Sequence, residues 1–286
     1  MKKILREALA SITKNIDVRG RHRAAQIVGN WLKPNGVETI HINGMDFPID
    51  HTIMLQRLVY YGLYEEDFIK HLQKTLKEGD VFIDPGTNIG YISAVVSGLV
   101  GKTGRVFSIE PSKKCFNQIK TYLPKSTNQN IRLFHAALSD KVGKAQFCET
   151  DFIFDFGYSY LLEAEGDQPS RDTYQIDTLT IDSLCQKHQI EHVKYLKLDV
   201  EGSEFMAIQG AKTMLEAKKI EYVLVETTFY DKYEAINQKI ADALTNFGYM
   251  PFQMKANGDL KPIKNIQNIK NNRFDVIWKV QTDTQN

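Results

Sequence analysis

A chain of 286 residues is long enough for one large domain with a sizeable core, and 36 basic against 35 acidic residues exclude a net field that gathers polyanions without specificity. The three cysteines, Cys115, Cys148 and Cys185, are far apart and form no C-x-x-C pair, so neither a disulfide framework nor a thiolate zinc site is expected. No run approaches the roughly 20 apolar residues of a membrane span.

The opening residues are basic, but Arg6, Glu7 and Lys14 interrupt each apolar stretch before it reaches the length of a secretory signal. Cytoplasmic residence is the expectation. Ile4, Leu5, Ala8, Leu9 and Ile12 recur at helical spacing, a face that would pack on its own domain or touch a membrane surface peripherally. The packed reading is preferred. "GVETIHINGMDFPID" alternates around Asn43-Gly44, a pair suited to a two-residue hairpin turn, and residues 51–76 carry apolar positions three and four apart, as helices do. Residues 1–76 therefore read as a cap of helices and a hairpin.

From Gly79 onwards, short apolar runs at 81–84, 105–109, 131–135, 195–199 and 222–226 read as strands, with helical stretches between several of them. That alternation predicts an α/β domain over residues 77–286, with a mostly parallel sheet covered by helices on both faces. Two further runs, "YMPFQM" and "RFDVIWKV", follow one another across a polar loop at 255–272 and suit an antiparallel pair closing the sheet edge. The aromatic and acidic stretch 144–174 breaks the rhythm and reads as an insertion.

Chemistry concentrates in "VFIDPGTNIGYIS". A buried strand ends in Asp84, and Gly86, Thr87, Asn88, Ile89 and Gly90 turn into a helix, offering a close backbone approach and unpaired N–H groups to a ligand. A phosphate-binding P-loop would end in Gly-Lys-Ser/Thr, and a dinucleotide fingerprint would read G-x-G-x-x-G. Neither is present. Glu110, tipping the next strand, could accept hydrogen bonds from both hydroxyls of a ribose and so marks an adenosine-type ligand.

"FIDPGTNIGYIS", "VFSIEPS", "NIRLFHAALSDKVG", "TLTIDSL" and "VKYLKLDVEGSEFMAIQGA" together resemble, in order, the motifs of the FkbM family of S-adenosylmethionine-dependent methyltransferases. The resemblance covers about residues 61–226. It implies a class I methyltransferase, Rossmann-like fold with a seven-stranded sheet and a reversed last strand. It further implies that Asp84, Gly86, Asn88 and Gly90 line the methionine and ribose side, that Glu110 takes the ribose, and that Ala136 or Ala137, the latter preferred, lies near adenine. Glu65 or Glu66 in "YYGLYEED" would reach the amino acid end, with Glu66 taken as the site residue. Pro85-Gly86-Thr87 departs from the family, which more often has a small or aliphatic residue followed by Gly-Ala.

Methyl transfer to an alcohol needs the acceptor held in line and its proton removed. Asp199, at the end of the fourth strand, reads as base or orienting group, with Glu201 in support if the strand continues that far. Such a pair could hold magnesium, but without a third committed ligand no metal is predicted. Glu226 and His135 are further pocket candidates, each with an ordinary structural explanation. In the insertion, Tyr158 and Ser159, exposed by a turn at Gly157, are the preferred acceptor contacts. The expected activity is O-methylation of a hydroxyl on a sugar, glycolipid precursor or secondary metabolite, without a nucleic-acid partner; the alternatives are an N-methyltransferase, a cofactor-binding module without turnover, and a nicotinamide oxidoreductase.

Overall fold

The computed structural model describes residues 1–16, 20–123, 127–149, 160–161, 173–227, 234–264 and 274–281. The N-terminal part runs α1 (Lys2–Asn15), α2 (Arg21–Trp31), β1 (Val37–Ile42), β2 (Met45–Asp50), α3 (Met54–Tyr60) and α4 (Glu66–Thr75). As the alternation predicts, β1 and β2 form an antiparallel hairpin. Its turn works because Asn43 (φ 48°) and Gly44 (φ 79°) both take the left-handed conformation a two-residue turn demands.

The following segment carries β3 (Val81–Pro85), α5 (Tyr91–Leu99), β4 (Arg105–Ile109), α6 (Lys113–Tyr122) and β5 (Ile131–Phe134). Then come β6 (Ala137–Leu138), β7 (Gly143–Cys148), β8 (Tyr160–Leu161), β9 (Thr173–Leu179), α7 (Ile181–Lys187), β10 (Val193–Leu198), α8 (Glu204–Gln209) and α9 (Lys212–Glu216). The last elements are β11 (Ile220–Thr227), α10 (Glu234–Asn246), β12 (Tyr249–Met254), β13 (Leu260–Pro262) and β14 (Phe274–Val280).

The main sheet has the order β13-β12-β14-β11-β10-β3-β4-β5. The five strands from β11 to β5 are parallel neighbours, whereas β14 runs antiparallel to both β11 and β12. This is the expected mostly parallel class I sheet with a reversed last strand. Two details differ from the sequence reading. β12 and β14 are the expected antiparallel pair, but the later strand, β14, lies on the inside against β11, and the stretch read as a loop contributes β13, which hydrogen-bonds to β12 as an eighth strand and takes the edge. A separate four-stranded sheet, β6-β9-β7-β8, brackets the insertion.

Both faces of the main sheet are covered, so its strands are apolar on both sides. One face packs Ile83, Phe107, Leu196 and Val223 against α7 to α10. The other packs Phe82, Tyr195, Tyr222 and Leu224 against α4 and α5 through Phe68, Leu72, Ile92 and Val96. Burying a side chain such as Phe68 contributes about 1.5–3 kcal/mol, so α4 is held on the sheet by the same core that holds α5.

The expected packing of α1 through its apolar face is not observed. Arg6, Ala10 and Thr13 are buried, while Ile4, Leu5 and Ile12 face solvent and Leu9 is half-buried. The cause is polar: the Arg6 guanidinium donates to both oxygens of Glu38 and to the Leu32 carbonyl, and the Thr13 hydroxyl donates to the Tyr61 carbonyl at 2.8 Å. Among the described residues, no helix is long and apolar enough to cross a membrane.

Candidate functional site

Asp84 is the last residue but one of β3, a strand buried throughout. Its Oδ2 accepts from the hydroxyls of Thr87 (2.8 Å) and Ser93 (2.6 Å), while its Oδ1 is buried without a hydrogen-bond partner. The turn that follows depends on Gly86 (φ 71°): a Cβ there would fall on the Asp199 carbonyl oxygen, so the ends of β3 and β10 meet backbone to backbone. Pro85 does not disturb this turn: the Gly86 N–H donates to the Ile109 carbonyl of β4 at 2.9 Å, and the turn closes through the Gly90 N–H to the Thr87 carbonyl at 2.7 Å. Asn88 (φ 54°) and Gly90 (φ 76°) complete it, Gly90 as the residue opening α5.

Glu110 follows β4 and is 5 % exposed. Its carboxylate accepts the backbone N–H of Asn88 (2.7 Å) and of Ser112 (2.8 Å), which ties the tip of β4 to the glycine turn. Burial pushes its pKa up to about 8 against the opposing effect of those two bonds. Each oxygen keeps a second lone-pair direction for another donor. Beside it, Glu149 accepts from the Ser112 hydroxyl and the Lys114 N–H; Ala136 and Ala137, just past the end of β5, are buried. His135 bonds the Pro111 carbonyl at 3.1 Å and stacks on Phe116, the ordinary structural role the sequence allowed for it.

At the end of β10 the structure assembles a group the sequence reading did not identify. Lys197, 3 % exposed, donates to Asp199 Oδ2 at 2.7 Å. Burial alone would lower its pKa, but Asp199, Asp84 and Glu65 outweigh that and hold the ammonium well above its ordinary value. Glu65 arrives from the residue before α4 in a left-handed conformation (φ 52°) that turns it into this group. Its pKa is pushed up to about 8 by burial and by Asp275, with Asp199 and Asp84 adding and Lys197 opposing.

Glu66, taken from the sequence as the site residue, is placed differently. It pairs with Arg21 (2.7 Å) and Lys70 (2.8 Å), so Glu65 and not Glu66 joins Asp84 and Asp199 around Lys197. The reason is one of direction: Glu66 already has helical geometry and projects along α4 towards Lys70, four residues on.

Asp199 and Glu201 do come together, though not by strand alternation. β10 ends at Leu198, and Glu201 takes φ 47°, so a turn brings them side by side. Carboxylate oxygens of Asp199, Glu201 and Glu226 lie within 4.8 Å of one another. Glu226, the last residue but one of β11, lies opposite Asp275 of β14. The N–H groups of Val200 and Gly202 in this turn are taken by Glu204, not by Glu201.

A cavity of about 330 Å³ opens beside Glu65, lined also by His22, Glu66, Asp67, Phe68, Gln253 and Asp275. Its volume suits a small molecule. Tyr158 and Ser159 lie outside the described residues.

Comparison with known proteins agrees in family. A family model described as "Methyltransferase FkbM domain" matches residues 84–251. Among curated relatives, hexuronic acid methyltransferase AglP of Haloferax volcanii is 27 % identical over 162 residues, 57 % of this chain and 62 % of that protein. Protein-L-isoaspartate O-methyltransferase of Methanococcus aeolicus is 33 % identical over 79 residues, 28 % of this chain and 36 % of that protein. The chain thus spans less than two thirds of either relative. Among solved structures, methyltransferase FkbM from Methylobacillus flagellatus aligns with a TM-score of 0.44 at 14 % identity over 91 % of this chain and 59 % of that one. Aeropyrum pernix fibrillarin in complex with S-adenosyl-L-methionine aligns at 0.42 and 16 %, over 74 % of each chain.

Proposed function

Since the chain belongs to the FkbM methyltransferase family, we propose that it transfers a methyl group from S-adenosylmethionine to a hydroxyl of a sugar, glycolipid precursor or secondary metabolite. The observation that carries this reading is the charge pattern at the ends of β3 and β10. Asp84, Asp199 and Glu65 surround one cation, Lys197, and Asp84 Oδ1 is buried with no hydrogen-bond partner among the described residues. A ligand that brings an ammonium and a sulfonium supplies what such a carboxylate-rich crevice lacks, and a buried acceptor left unbonded costs about 1–3 kcal/mol until it finds a donor. The chemistry of the donor set therefore fits this cofactor.

In this reading Asp84 and Glu65 hold the amino acid end, the Gly86–Gly90 turn lets the backbone approach, and Glu110 receives ribose hydroxyls on its remaining lone pairs. Ala137 borders the adenine, with Glu149 beside it. When bound, S-adenosylmethionine supplies an electrophilic methyl group. The protein positions the acceptor and moves its proton: an alcohol, with a pKa of about 15–16 like that of water, needs a base as the new bond forms, and Asp199, with Glu201 and Glu226 near it, is placed to serve. The cavity beside Glu65 adjoins this amino acid end, and Asp67 and Asp275 in its lining are suited to receive hydroxyls of the acceptor. A sugar acceptor is also what the name of the Haloferax volcanii relative describes for that protein.

Calorimetric titration with S-adenosylhomocysteine tests the donor half: saturable one-site binding is expected, and no heat of binding would remove the basis of the reading. For the acceptor half, Asp199→Asn is expected to lower turnover by roughly a hundredfold or more while leaving that binding nearly intact. An equal loss of both would assign Asp199 to the cofactor site instead.

A further inference from the structure

The outer face of α1 and α2 is built the wrong way round for a pair of helices that ends in water. Among the described residues, nine of the eleven exposed large apolar side chains lie within residues 1–37. Ile4 is 69 %, Ile27 61 % and Trp31 63 % exposed, with Leu5, Ile12 and Val28 alongside. The inward faces, by contrast, are polar or small: Arg6 and Thr13 on α1, Ala25 and Gly29 on α2, where the Gly29 backbone lies against the Tyr61 ring. Polar bonds fix these helices to the domain, so the apolar side chains are not needed to hold them there.

The two outer faces form one surface. The Lys2 ammonium sits 5.1 Å over the Trp31 ring and 3.3 Å from the Trp31 carbonyl oxygen, which joins the start of α1 to the end of α2. The surface is also basic. Residues 1–37 carry eight Lys and Arg against two acids, in a chain whose net charge is only +1. Arg6 and Arg21 are used in ion pairs with Glu38 and Glu66, whereas Lys2, Arg23 and Lys33 stand exposed on or next to the two helices, as does Lys3, which pairs with exposed Glu7 one turn on.

We propose that the outer face of α1 and α2 docks on an anionic lipid surface, the Ile and Trp side chains entering the headgroup boundary and the Lys and Arg side chains meeting the lipid charge. This combination of an apolar face carrying Trp with flanking cations is the chemistry of an interfacial helix. A second copy of the chain fits less well, because pairing two such faces brings two basic margins together. The docking does not depend on methyl transfer.

Flotation of the full chain with lipid vesicles tests it. Binding is expected to vesicles containing about one-third phosphatidylglycerol, to weaken in high salt, and to be much lower with phosphatidylcholine alone. The variant Ile4→Gln/Ile27→Gln/Trp31→Gln, altered only at exposed positions, should bind anionic vesicles at least ~tenfold less tightly, with its thermal midpoint and its S-adenosylhomocysteine titration unchanged. No binding to anionic vesicles, or equal binding to both kinds, overturns the proposal. So does a dimer in light scattering that the triple variant converts to monomer, since that makes the face a subunit interface. Loss of S-adenosylhomocysteine binding would count against the methyltransferase reading and leave the vesicle result standing.

Discussion

Glu65 shows how much one backbone angle decides. At φ 52° it leaves the helical direction that Glu66 follows and enters the crevice beside Lys197, Asp199 and Asp84. Its pKa of about 8 leaves the carboxyl largely protonated at neutral pH even with Lys197 beside it, until a second cation arrives. A cationic ligand binds the ionised form better, so binding should release a proton and affinity should rise with pH until it levels off near pH 8. Titration of S-adenosylhomocysteine in two buffers of different ionisation heat measures that release. It is expected to fall markedly in Glu65→Gln, and an unchanged proton count would place Glu65 outside the ligand's reach. In the sequence, adjacent Glu65 and Glu66 cannot be told apart, because the choice rests on a single left-handed residue that no periodicity announces. Lys197 was equally hidden. Within an apolar run it resembles an ordinary strand lysine, and only the carboxylates contributed by β3 and by the residue before α4 give it a place.

At the scale of elements, the strand–turn–helix unit from β3 to α5 carries the site, and its weak point is Gly86. Gly86→Ala would require a left-handed alanine, costing about 1–2 kcal/mol, and would also drive a methyl group onto the Asp199 carbonyl. The substitution should lower the thermal midpoint and abolish measurable S-adenosylhomocysteine binding even where the protein remains folded. Retained affinity would show that the two strand ends can separate without harm. The parallel strands, the hairpin and the glycine turn were legible because each is announced locally, by apolar runs, by Asn-Gly, or by glycine spacing. The position of β14 between β11 and β12 was not, since strand order is set by long-range pairing. Short β13, with Lys261 and Pro262 in it, carries no periodic signal, and the strand alternation that would orient Glu201 stops at Leu198.

For the molecule as a whole, several buried acids make stability depend on pH in an unusual direction. Glu110 and Glu65 have folded pKa values of about 8 and Glu204 of about 7, against an ordinary 4.5. At these three carboxyls the folded chain therefore binds more protons than the unfolded one between about pH 4.5 and 8, and their contribution to stability falls as pH rises through that window, while His51 and His71, whose pKa values burial lowers, oppose it only below about pH 6.5. The ligand-free protein should show a thermal midpoint that drops by several degrees from pH 5.5 to about pH 8. Glu110→Gln, which cannot ionise, should flatten the slope; a midpoint that climbs with pH would contradict the burial of these groups. The outward apolar face of α1, which the spacing of Ile4, Leu5 and Ile12 could not orient, became visible only once Arg6 and Thr13 were found on the inside.

α2 also reaches both ends of the problem, since His22 in its first turn lines the cavity while Trp31 at its far end belongs to the outer face. Nine residues of helix separate the two, roughly 13 Å along the axis. A chain resting on a bilayer by that helix would meet a glycolipid acceptor, if that is its substrate, as a two-dimensional reagent, so turnover would then follow how densely such molecules crowd the leaflet and respond little to dilution of the surrounding solution.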